Sequence, residues 1–362
     1  MLSLVLPTFN EAQNLPELIP RIEAALEGLE YEIIVVDDDS PDGTWRIGLE
    51  LAKSHPSLRV IRRVGRRGLS SAVIEGFLAA TGDVLAVMDA DGQHDTGLLA
   101  QLYESVTRTQ GIALGSRYAE GGSVGQWDER RHLMSRVATQ LSLRLCAVKV
   151  ADPMSGFFAI DRELFERTRP RLNSKGFKIL LDLLVQIPKD TAAEEFAFTF
   201  GSRMHGESKL SGRVQLEFLE YLYDVTVGRL IPLTFVKFCI VGAFGVLVHL
   251  AVFKLARHLL EGTGDDFGFR LSKAVAIEVA IVSNFLLNNV WTFSHVRLVG
   301  VDALTGFFKF NAACALGALA DLAVADYLHR SSTPETVAVL AGAFVGALWN
   351  YGMNRLVTWR AA

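Results

Sequence analysis

The sequence is poor in cysteine and has no excess of basic residues. Its three cysteines, Cys146, Cys239 and Cys314, are widely spaced, and two of them lie in apolar stretches. This spacing argues against a disulfide or metal framework and favours small buried side chains. The formal net charge is -4, whereas nucleic-acid-binding proteins usually present a strongly basic surface. We therefore expect no nucleic-acid partner.

Charged residues are scarce in the last third of the chain. Of the 76 Asp, Glu, Lys and Arg side chains, only 18 follow residue 231. Four apolar stretches lie in this part, at 233–253, 274–293, 304–328 and 336–357. Each has the roughly 20 residues of helix that a bilayer core requires. The chain therefore divides into a water-soluble front part and a membrane-spanning back part.

The first residues lack the basic segment of a secretory signal peptide. The segment "MLSLVLPTFNE" passes directly into a short β-like run. We therefore expect the front part to stay in the cytoplasm. An even number of spans would return the C-terminus to the same side, while the Lys and Arg asymmetry that normally sets topology is weak here.

The front part alternates short apolar runs with amphipathic segments. Predicted strands lie near 2–7, 31–38, 58–63, 83–90 and 111–117, and predicted helices near 11–29, 42–54, 69–80 and 95–108. This alternation indicates a mainly parallel sheet covered on both faces. No G-x-G-x-x-G follows the first strand, which disfavours a dehydrogenase-type dinucleotide fold. Ligands of such sheets bind outside the carboxyl ends of the strands, where polar residues collect in this sequence.

Asp89, Asp91 and Gln93 follow the fourth predicted strand at alternate positions. Alternate residues of an extended chain point to the same side. Two carboxylates and an amide oxygen are hard ligands that suit Mg²⁺ or Mn²⁺, and these ions often share a diphosphate with the substrate. The competing interpretation is an ordinary acidic turn. His94 and Asp95 are interpreted as a turn residue and a helix cap.

A second acidic segment, 35–44, follows the second strand. Its carboxylates can accept hydrogen bonds from a base or a ribose hydroxyl, and among Asp37, Asp38 and Asp39 we favour Asp38. Asp42 and Gly43 are typical of a turn.

The first strand ends in a polar segment of its own. Asn10 is predicted to cap a helix. Glu11 would then either complement the helix dipole or belong to the site.

Basic residues occur in three further segments. The run 59–72 holds five arginines and is interpreted as a solvated edge strand and loop. Residues 129–148 form a basic amphipathic pattern, either a helix on an anionic bilayer surface or an ordinary surface helix. The Gly- and Ser-rich loop 201–212 carries Arg203 and Lys209, in the manner of anion-binding loops.

The membrane part contains an internal repeat. "FVKFCIVGAFGVLVHLAVF" (235–253) matches "FFKFNAACALGALADLAVA" (307–325), and "NFLLNNVWTF" (284–293) matches "NYGMNRLVTW" (350–359). The pattern indicates that a helical hairpin has been duplicated.

Polar residues within the spans are candidates for function. His249 and Asp321 occupy equivalent repeat positions, and Glu278 lies in the second span. Asparagines occur at 284, 288, 350 and 354. The alternative is hydrogen bonding between helices, which we favour for the asparagines and leave open for the other three.

Eight segments together resemble the family-2 glycosyltransferases that make polyprenyl-phosphate sugars, most closely those that transfer mannose. The segments are "PTFNE", "VVDDDSPDGT", "GLSSAVIEGF", "VMDADGQH", "GSRY", "DPMSGFFAI", "GFKILLDLL" and "HGESKL". The back part resembles the four-span GtrA-type membrane domain. The resemblance implies an α/β GT-A (Rossmann-like) catalytic domain over 1–212, an amphipathic interface helix over 213–231 and an all-α transmembrane domain of four helices over 232–362.

The resemblance also implies a reaction and residue roles. The reaction would be metal-dependent transfer of mannose from GDP-mannose to dolichyl or polyprenyl phosphate, with inversion, at the cytoplasmic face of the cell membrane. The donor would be held by Pro7, Phe9, Glu11, Val36, Asp38 and Ala90. The metal, Mg²⁺ or Mn²⁺, would be held by Asp89, Asp91 and Gln93. Phosphate groups would be met by Arg117, Arg131, Ser135, Arg203 and Lys209. Catalysis would rest on Asp91, Arg117 and Arg131.

Two alternatives stay open. A glucosyl or other hexosyl transferase that uses a UDP-sugar has similar motifs, although "DDDSPDGT" favours the mannose enzymes. Translocation of a lipid-linked sugar by the membrane part is a function of another class. A processive polysaccharide synthase is disfavoured, because the Q-x-x-R-W motif is missing from the sequence.

Overall fold

The chain divides into two units, Met1–Leu222 and Tyr223–Ala362, which are described separately. The computed structural model describes residues 1–123, 138–173, 178–205, 212–228, 230–260, 265–331 and 333–360. The predicted fold class is confirmed, because an α/β unit is followed by four long apolar helices.

The first unit is built on a mixed sheet. Among the described residues the strands are β1 (Leu2–Thr8), β2 (Tyr31–Asp37), β3 (Leu58–Arg62), β4 (Val84–Val87), β5 (Ile112–Ser116), β6 (Phe158–Asp161) and β7 (Ala193–Ala197). Their order in the sheet is β3-β2-β1-β4-β6-β5-β7. Only β6 runs antiparallel to its neighbours among these strands. The sheet is therefore mainly parallel, as predicted.

Helices cover both faces of the sheet. They are α1 (Leu15–Ala25), α2 (Thr44–Leu51), α3 (Leu69–Ala79), α4 (Leu98–Thr109), α5 (Arg162–Thr168) and α6 (Ile179–Gln186), with α7 (Gly212–Thr226) after the sheet. Strand β1 shows the two-sided burial, since Leu4 lies in one hydrophobic core and Val5 in the other. Successive side chains of a strand point to opposite faces, so a strand buried on both faces is apolar throughout.

The predicted helix over 129–148 is only partly within the described residues. Its described helical part is 138–143, and the chain leaves the helix at residue 144. Val148 and Val150 then enter the core beneath α3 and α6. The helix therefore ends earlier than predicted, because the chain turns after residue 143 and places Val148 and Val150 in the core.

The loop after β1 is tied to the loop after β2. The prediction that Asn10 caps a helix is wrong, because α1 begins at Leu15 and Asn10 has a φ of 58°. The Asn10 amide donates to Ser40 Oγ at 3.0 Å, and the Glu11 amide donates to Thr44 Oγ1 at 2.9 Å. These two bonds hold both loops at one edge of the sheet.

The second unit contains four long helices. They are α8 (Leu233–Leu259), α9 (Asp265–Leu287), α10 (Val301–Arg330) and α11 (Glu335–Met353). Helices α9 and α11 each continue into a π-helical turn, Asn288–Thr292 and Asn354–Thr358. All four are long and apolar enough to cross a membrane.

Equivalent positions of the repeat make equivalent contacts. The Asn288 amide group donates to Asn284 O at 2.9 Å, and the Asn354 amide group donates to Asn350 O at 2.8 Å. Phe293 stacks on its repeat equivalent Trp359, with 4.5 Å between ring centroids. Both asparagine bonds connect residues four apart in one helix, so they do not show the predicted hydrogen bonding between helices. The functions of His249, Glu278 and Asp321 stay predictions.

Candidate active site

A cavity of about 450 Å³ opens at the carboxyl ends of β1, β2, β4 and β5. Most of the predicted site residues that the structure describes line it: Pro7, Phe9, Glu11, Asp38, Asp89, Ala90, Asp91, Gln93, Arg117 and Arg203. Val36 instead lies in β2 with its side chain in the hydrophobic core. Arg131, Ser135 and Lys209 lie outside the described residues.

The acidic part of the cavity is formed after β4. Asp91 is buried and Asp89 is partly exposed. Arg203 Nη2 lies 2.9 Å from Asp91 Oδ2, and Arg203 Nη1 lies 4.0 Å from Glu11 Oε1. His94 Nε2 lies 3.4 Å from Asp89 Oδ2. Basic side chains thus stand next to carboxylates whose burial would otherwise be costly.

The two aspartates are held in different electrostatic states. Burial raises the pKa of Asp91, and the neighbouring Asp89 carboxylate raises it further. Burial also acts to raise the pKa of Asp89, but His94 and then Lys178 and Arg203 outweigh burial and lower it. A positive charge placed beside both carboxylates would favour the ionised form of each.

The segment 201–205 crosses the end of β4. Gln93 Nε2 donates to Gly201 O at 2.8 Å, the Gly201 amide donates to Gln93 O at 2.9 Å, and the Met204 amide donates to Asp91 O at 3.1 Å. Gly92, at a φ of 74°, lies beneath this segment, where an added Cβ would overlap Met204 Sδ. The close approach at Gly92 is what allows Arg203 to reach Asp91.

Two residues that the sequence analysis did not assign belong to the cationic part of the site: Lys178 lines the cavity, and the buried Asp152 pairs with Arg117 behind it. Arg117 donates to Asp152 through Nε at 2.7 Å and Nη2 at 2.8 Å. Burial opposes the charge of Arg117, but the Asp152 hydrogen bonds outweigh it and raise the pKa. Burial and the charge of Arg117 lower the pKa of Lys178 to about 8. Asp152 and Lys178 lie in the motif segments "DPMSG" and "GFK", but no spacing pattern in the sequence linked either residue to Arg117.

The five-arginine run is less solvated than predicted. Strand β3 is an edge strand as expected, but Arg63 is only 2% exposed. Arg63 Nη1 lies 2.6 Å from Asp38 Oδ1. Burial raises the pKa of Asp38, and hydrogen bonds from Gly68 and Arg63 act in the opposite direction. The prediction is therefore wrong for Arg63, because a buried carboxylate retains it.

The acidic residues fit a divalent cation by their donor chemistry. Asp89, Asp91 and Gln93 offer oxygen ligands, the kind that Mg²⁺ and Mn²⁺ prefer. In the described part of the chain, no group of three or more His, Cys, Asp or Glu residues gathers as a complete metal site. A cation here would therefore need oxygens from Gln93 and from a bound ligand in addition to the two carboxylates.

Comparisons with known proteins agree with this architecture. Residues 3–169 match the family model for glycosyl transferase family 2, and residues 237–359 match the GtrA/DPMS transmembrane domain. The chain is 40% identical to a dolichol-phosphate mannosyltransferase of Pyrococcus furiosus, over 99% of each chain. It is 37% identical to a polyprenol monophosphomannose synthase of Mycolicibacterium smegmatis, over 58% of this chain and 80% of that one.

Similarity to a solved structure is weaker. A mannosyl-3-phosphoglycerate synthase of Rubrobacter xylanophilus has a TM-score of 0.47 and 23% identity, and the match covers 64% of this chain and 76% of that chain.

The first unit is the GT-A domain of a glycosyltransferase, and the second is a membrane domain. The chain belongs to glycosyltransferase family 2 and, within it, to the dolichol-phosphate mannosyltransferases. It is therefore a membrane enzyme that transfers a sugar.

Proposed function

We propose that the chain transfers mannose from GDP-mannose to dolichyl or another polyprenyl phosphate. The transfer inverts the anomeric carbon, depends on Mg²⁺ or Mn²⁺, and takes place at the cytoplasmic face of the cell membrane. The observation that carries the proposal is one cavity lined by both carboxylates and cationic side chains, in a chain that resembles the Pyrococcus enzyme along its whole length.

The cationic residues suit a reaction between two anions. The donor carries a diphosphate and the acceptor a phosphate, so the two repel each other in water. Arg117, Lys178 and Arg203 all line the cavity, and fixed positive groups in a site shielded from water stabilise such charge strongly. Their role in the proposal is to hold both phosphates close enough to react.

The reaction requires no general base. The acceptor is a phosphate monoester whose second pKa is about 6, so it is largely a dianion at neutral pH. One of its oxygens forms a bond to the anomeric carbon while the bond from that carbon to the GDP oxygen breaks. GDP leaves with the electron pair, and attack from the opposite face accounts for inversion.

The acidic residues are assigned to the cation. Asp89, Asp91 and Gln93 would hold it, and when bound it would neutralise charge on the leaving diphosphate. Arg203 pairs with Asp91 in the structure. We assign Arg203 to the donor diphosphate in the loaded enzyme, since a cation on Asp91 would compete with the guanidinium for that carboxylate.

The nucleoside end of the donor is assigned to Pro7, Phe9, Glu11 and Asp38. The first three follow or end β1, and Asp38 follows β2. Phe9 offers a ring for stacking. Arg131, Ser135 and Lys209 stay predictions for phosphate contacts, as does the Val36 contact.

A donor panel tests the proposal. Purified full-length protein would be given Mn²⁺, a short polyprenyl phosphate, and labelled GDP-mannose, GDP-glucose, UDP-glucose or UDP-galactose in turn. We expect labelled lipid from GDP-mannose alone. Labelled lipid from UDP-glucose and not from GDP-mannose would establish the alternative hexosyl transferase.

A further inference from the structure

A short loop, residues 64–68, connects β3 to α3 and borders the cavity. It contains Gly65 and Gly68 at positive φ values of 72° and 138°, and both Arg67 and Gly68 line the cavity. Two arginines, one next to this loop and one within it, make contacts that the residue roles proposed above do not explain. Arg63 lies immediately before it and is buried, while Arg67 lies within it and is exposed.

Arg63 holds both ends of the loop. Its Nη1 donates to Asp38 Oδ1 at 2.6 Å and to Gly68 O at 3.2 Å, and its Nη2 donates to Ser71 Oγ at 2.6 Å. Asp38 Oδ2 in turn accepts from the Gly68 amide at 2.7 Å. One guanidinium and one carboxylate therefore fix the amide and the carbonyl of Gly68, the residue that follows Arg67.

Arg67 covers an aromatic ring in the cavity. The Arg67 guanidinium carbon lies 4.7 Å from the centroid of the Phe9 ring. Guanidinium groups are planar and weakly hydrated, and they stack on flat rings. A nucleobase also presents a flat face that stacks on aromatic side chains and on arginine.

We infer that Arg67 closes over the nucleobase of the sugar donor against Phe9, and that Arg63 is a positioning residue that aims it. The inference rests on the proposed nucleotide-sugar donor. It assigns Arg67 as a second side chain, opposite Phe9, that contacts the base. In the proposed complex the base takes the place next to the Phe9 ring, where Arg67 lies in this structure, and the arginine moves outward to cover the base. Because hydrogen bonds hold the backbone at Gly68, this small movement is one of the Arg67 side chain.

Binding measurements on the full-length protein in detergent, with Mg²⁺ present, test the stacking role. The probes are GDP, UDP and inorganic pyrophosphate, measured by calorimetry. We expect Arg67→Ala to weaken GDP binding by about 10-fold and to leave pyrophosphate binding unchanged. The matched control is the exposed Arg66→Ala. Arg66 pairs with Glu75 Oε1 at 3.1 Å, and its loss leaves the bond from Arg63 Nε to Glu75 Oε2 at 3.1 Å in place, so this variant should keep the wild-type affinity for GDP.

A double-mutant cycle tests the positioning role. Arg63→Lys keeps a positive charge beside Asp38 but lacks the planar fork that reaches Gly68 and Ser71 together. We expect Arg63→Lys to raise the KM for the donor with little change in kcat, and the pair Arg63→Lys/Arg67→Ala to bind GDP no more weakly than Arg67→Ala alone. If Arg63→Lys lowers the melting temperature, Ser71→Ala, which removes one Arg63 contact, replaces it in the cycle.

Each outcome decides the question. Equal losses of GDP and pyrophosphate affinity in Arg67→Ala would place Arg67 at the phosphates and overturn the inference, as would unchanged GDP affinity. Additive effects in the cycle would overturn the role of Arg63. If the wild type binds UDP and not GDP, the proposed donor is wrong, and the same comparison with UDP then decides the base contact. Binding of neither nucleotide would overturn both.

Discussion

Arg117 and Asp152 form a bidentate ion pair at the carboxyl end of β5. The Asp152 carboxylate is fully buried, and it accepts from Nε and Nη2 of Arg117 and from the Arg117 amide at 3.1 Å. Three bonds to one carboxylate fix the plane of the guanidinium. The Asp152 carboxylate therefore sets the orientation of the Arg117 guanidinium in the cavity.

Asp152→Asn tests this relationship. The amide keeps the shape of the side chain but leaves Arg117 as a buried charge without its counterion, which is costly. We expect kcat/KM for transfer to fall by about 100-fold, together with a lower melting temperature. Glu166→Gln is the control, because the exposed pair of Glu166 and Arg169 should contribute little. Wild-type activity in Asp152→Asn would remove the pair from the catalytic site.

Sequence patterns predicted where Asp89 and Asp91 lie at the sheet edge, but they did not predict the contacts of the cationic residues. Asp89 and Asp91 directly follow an apolar strand, so their position at the sheet edge follows from local chain geometry. The pairing of Arg117 with Asp152 spans 35 positions and has no local pattern.

The burial of Arg63 was missed for the same reason, since its partner Asp38 comes from another strand. Asn10 failed as a cap because the Ala12 amide, which a cap at Asn10 would bind, already donates to Asp42 Oδ2 at 3.1 Å.

Asp91→Ala tests the proposed cation site. We expect transfer to fall by about 1,000-fold, and addition of Mg²⁺ no longer to strengthen GDP binding. Chelation of divalent ions in the wild type should have the same effect on transfer, and added Mn²⁺ should restore it. The measurements are labelled-lipid formation and GDP calorimetry with and without Mg²⁺.

The control for that experiment is Asp95→Ala. Asp95 is exposed and accepts from the Gly97 amide at 2.9 Å before α4, so it shares the acidic segment without facing the cavity. This variant should keep its response to Mg²⁺. If Asp91→Ala responds to Mg²⁺ as strongly as Asp95→Ala does, the cation is held elsewhere.

Glu32 should make folding stability depend on pH. Burial opposes ionisation of its carboxyl, but hydrogen bonds from Ser3, from the amide and hydroxyl of Thr81, and from Arg59 outweigh burial and lower the pKa to about 2. A lowered pKa stabilises the fold above the unfolded value of 4.5. This stabilisation, of the order of 3 kcal/mol, is lost as the pH falls from 4.5 toward 2.

Glu32→Gln measures this contribution. The variant should melt well below the wild type at pH 7, and the difference should shrink as the pH is lowered past 4.5, because the wild type loses its advantage there. Exposed Glu27→Gln is the comparison and should follow the wild type throughout. A melting difference that does not change between pH 7 and pH 3 would show that packing and not charge accounts for the role of Glu32.

Gly245 and Gly242 give a matched pair of substitutions in the membrane unit. Both lie in α8, but a Cβ at Gly245 would overlap Asn284 Oδ1, whereas a Cβ at Gly242 would meet nothing within 4 Å. Overpacking of this kind costs about 1–3 kcal/mol. Gly245→Ala should therefore lower the denaturant concentration that unfolds the protein in mixed micelles, followed by tryptophan fluorescence, while Gly242→Ala should not.

The repeat supplies an independent check of the same argument. Gly317 occupies the equivalent position in α10, and its Cβ would overlap Asn350 Oδ1. Gly317→Ala should therefore destabilise the unit as Gly245→Ala does, since both hairpins use the same contact between a helix backbone and an asparagine. If only one of the two variants is destabilised, the hairpins no longer share a packing mechanism, and the asparagine of the insensitive hairpin becomes a candidate for function.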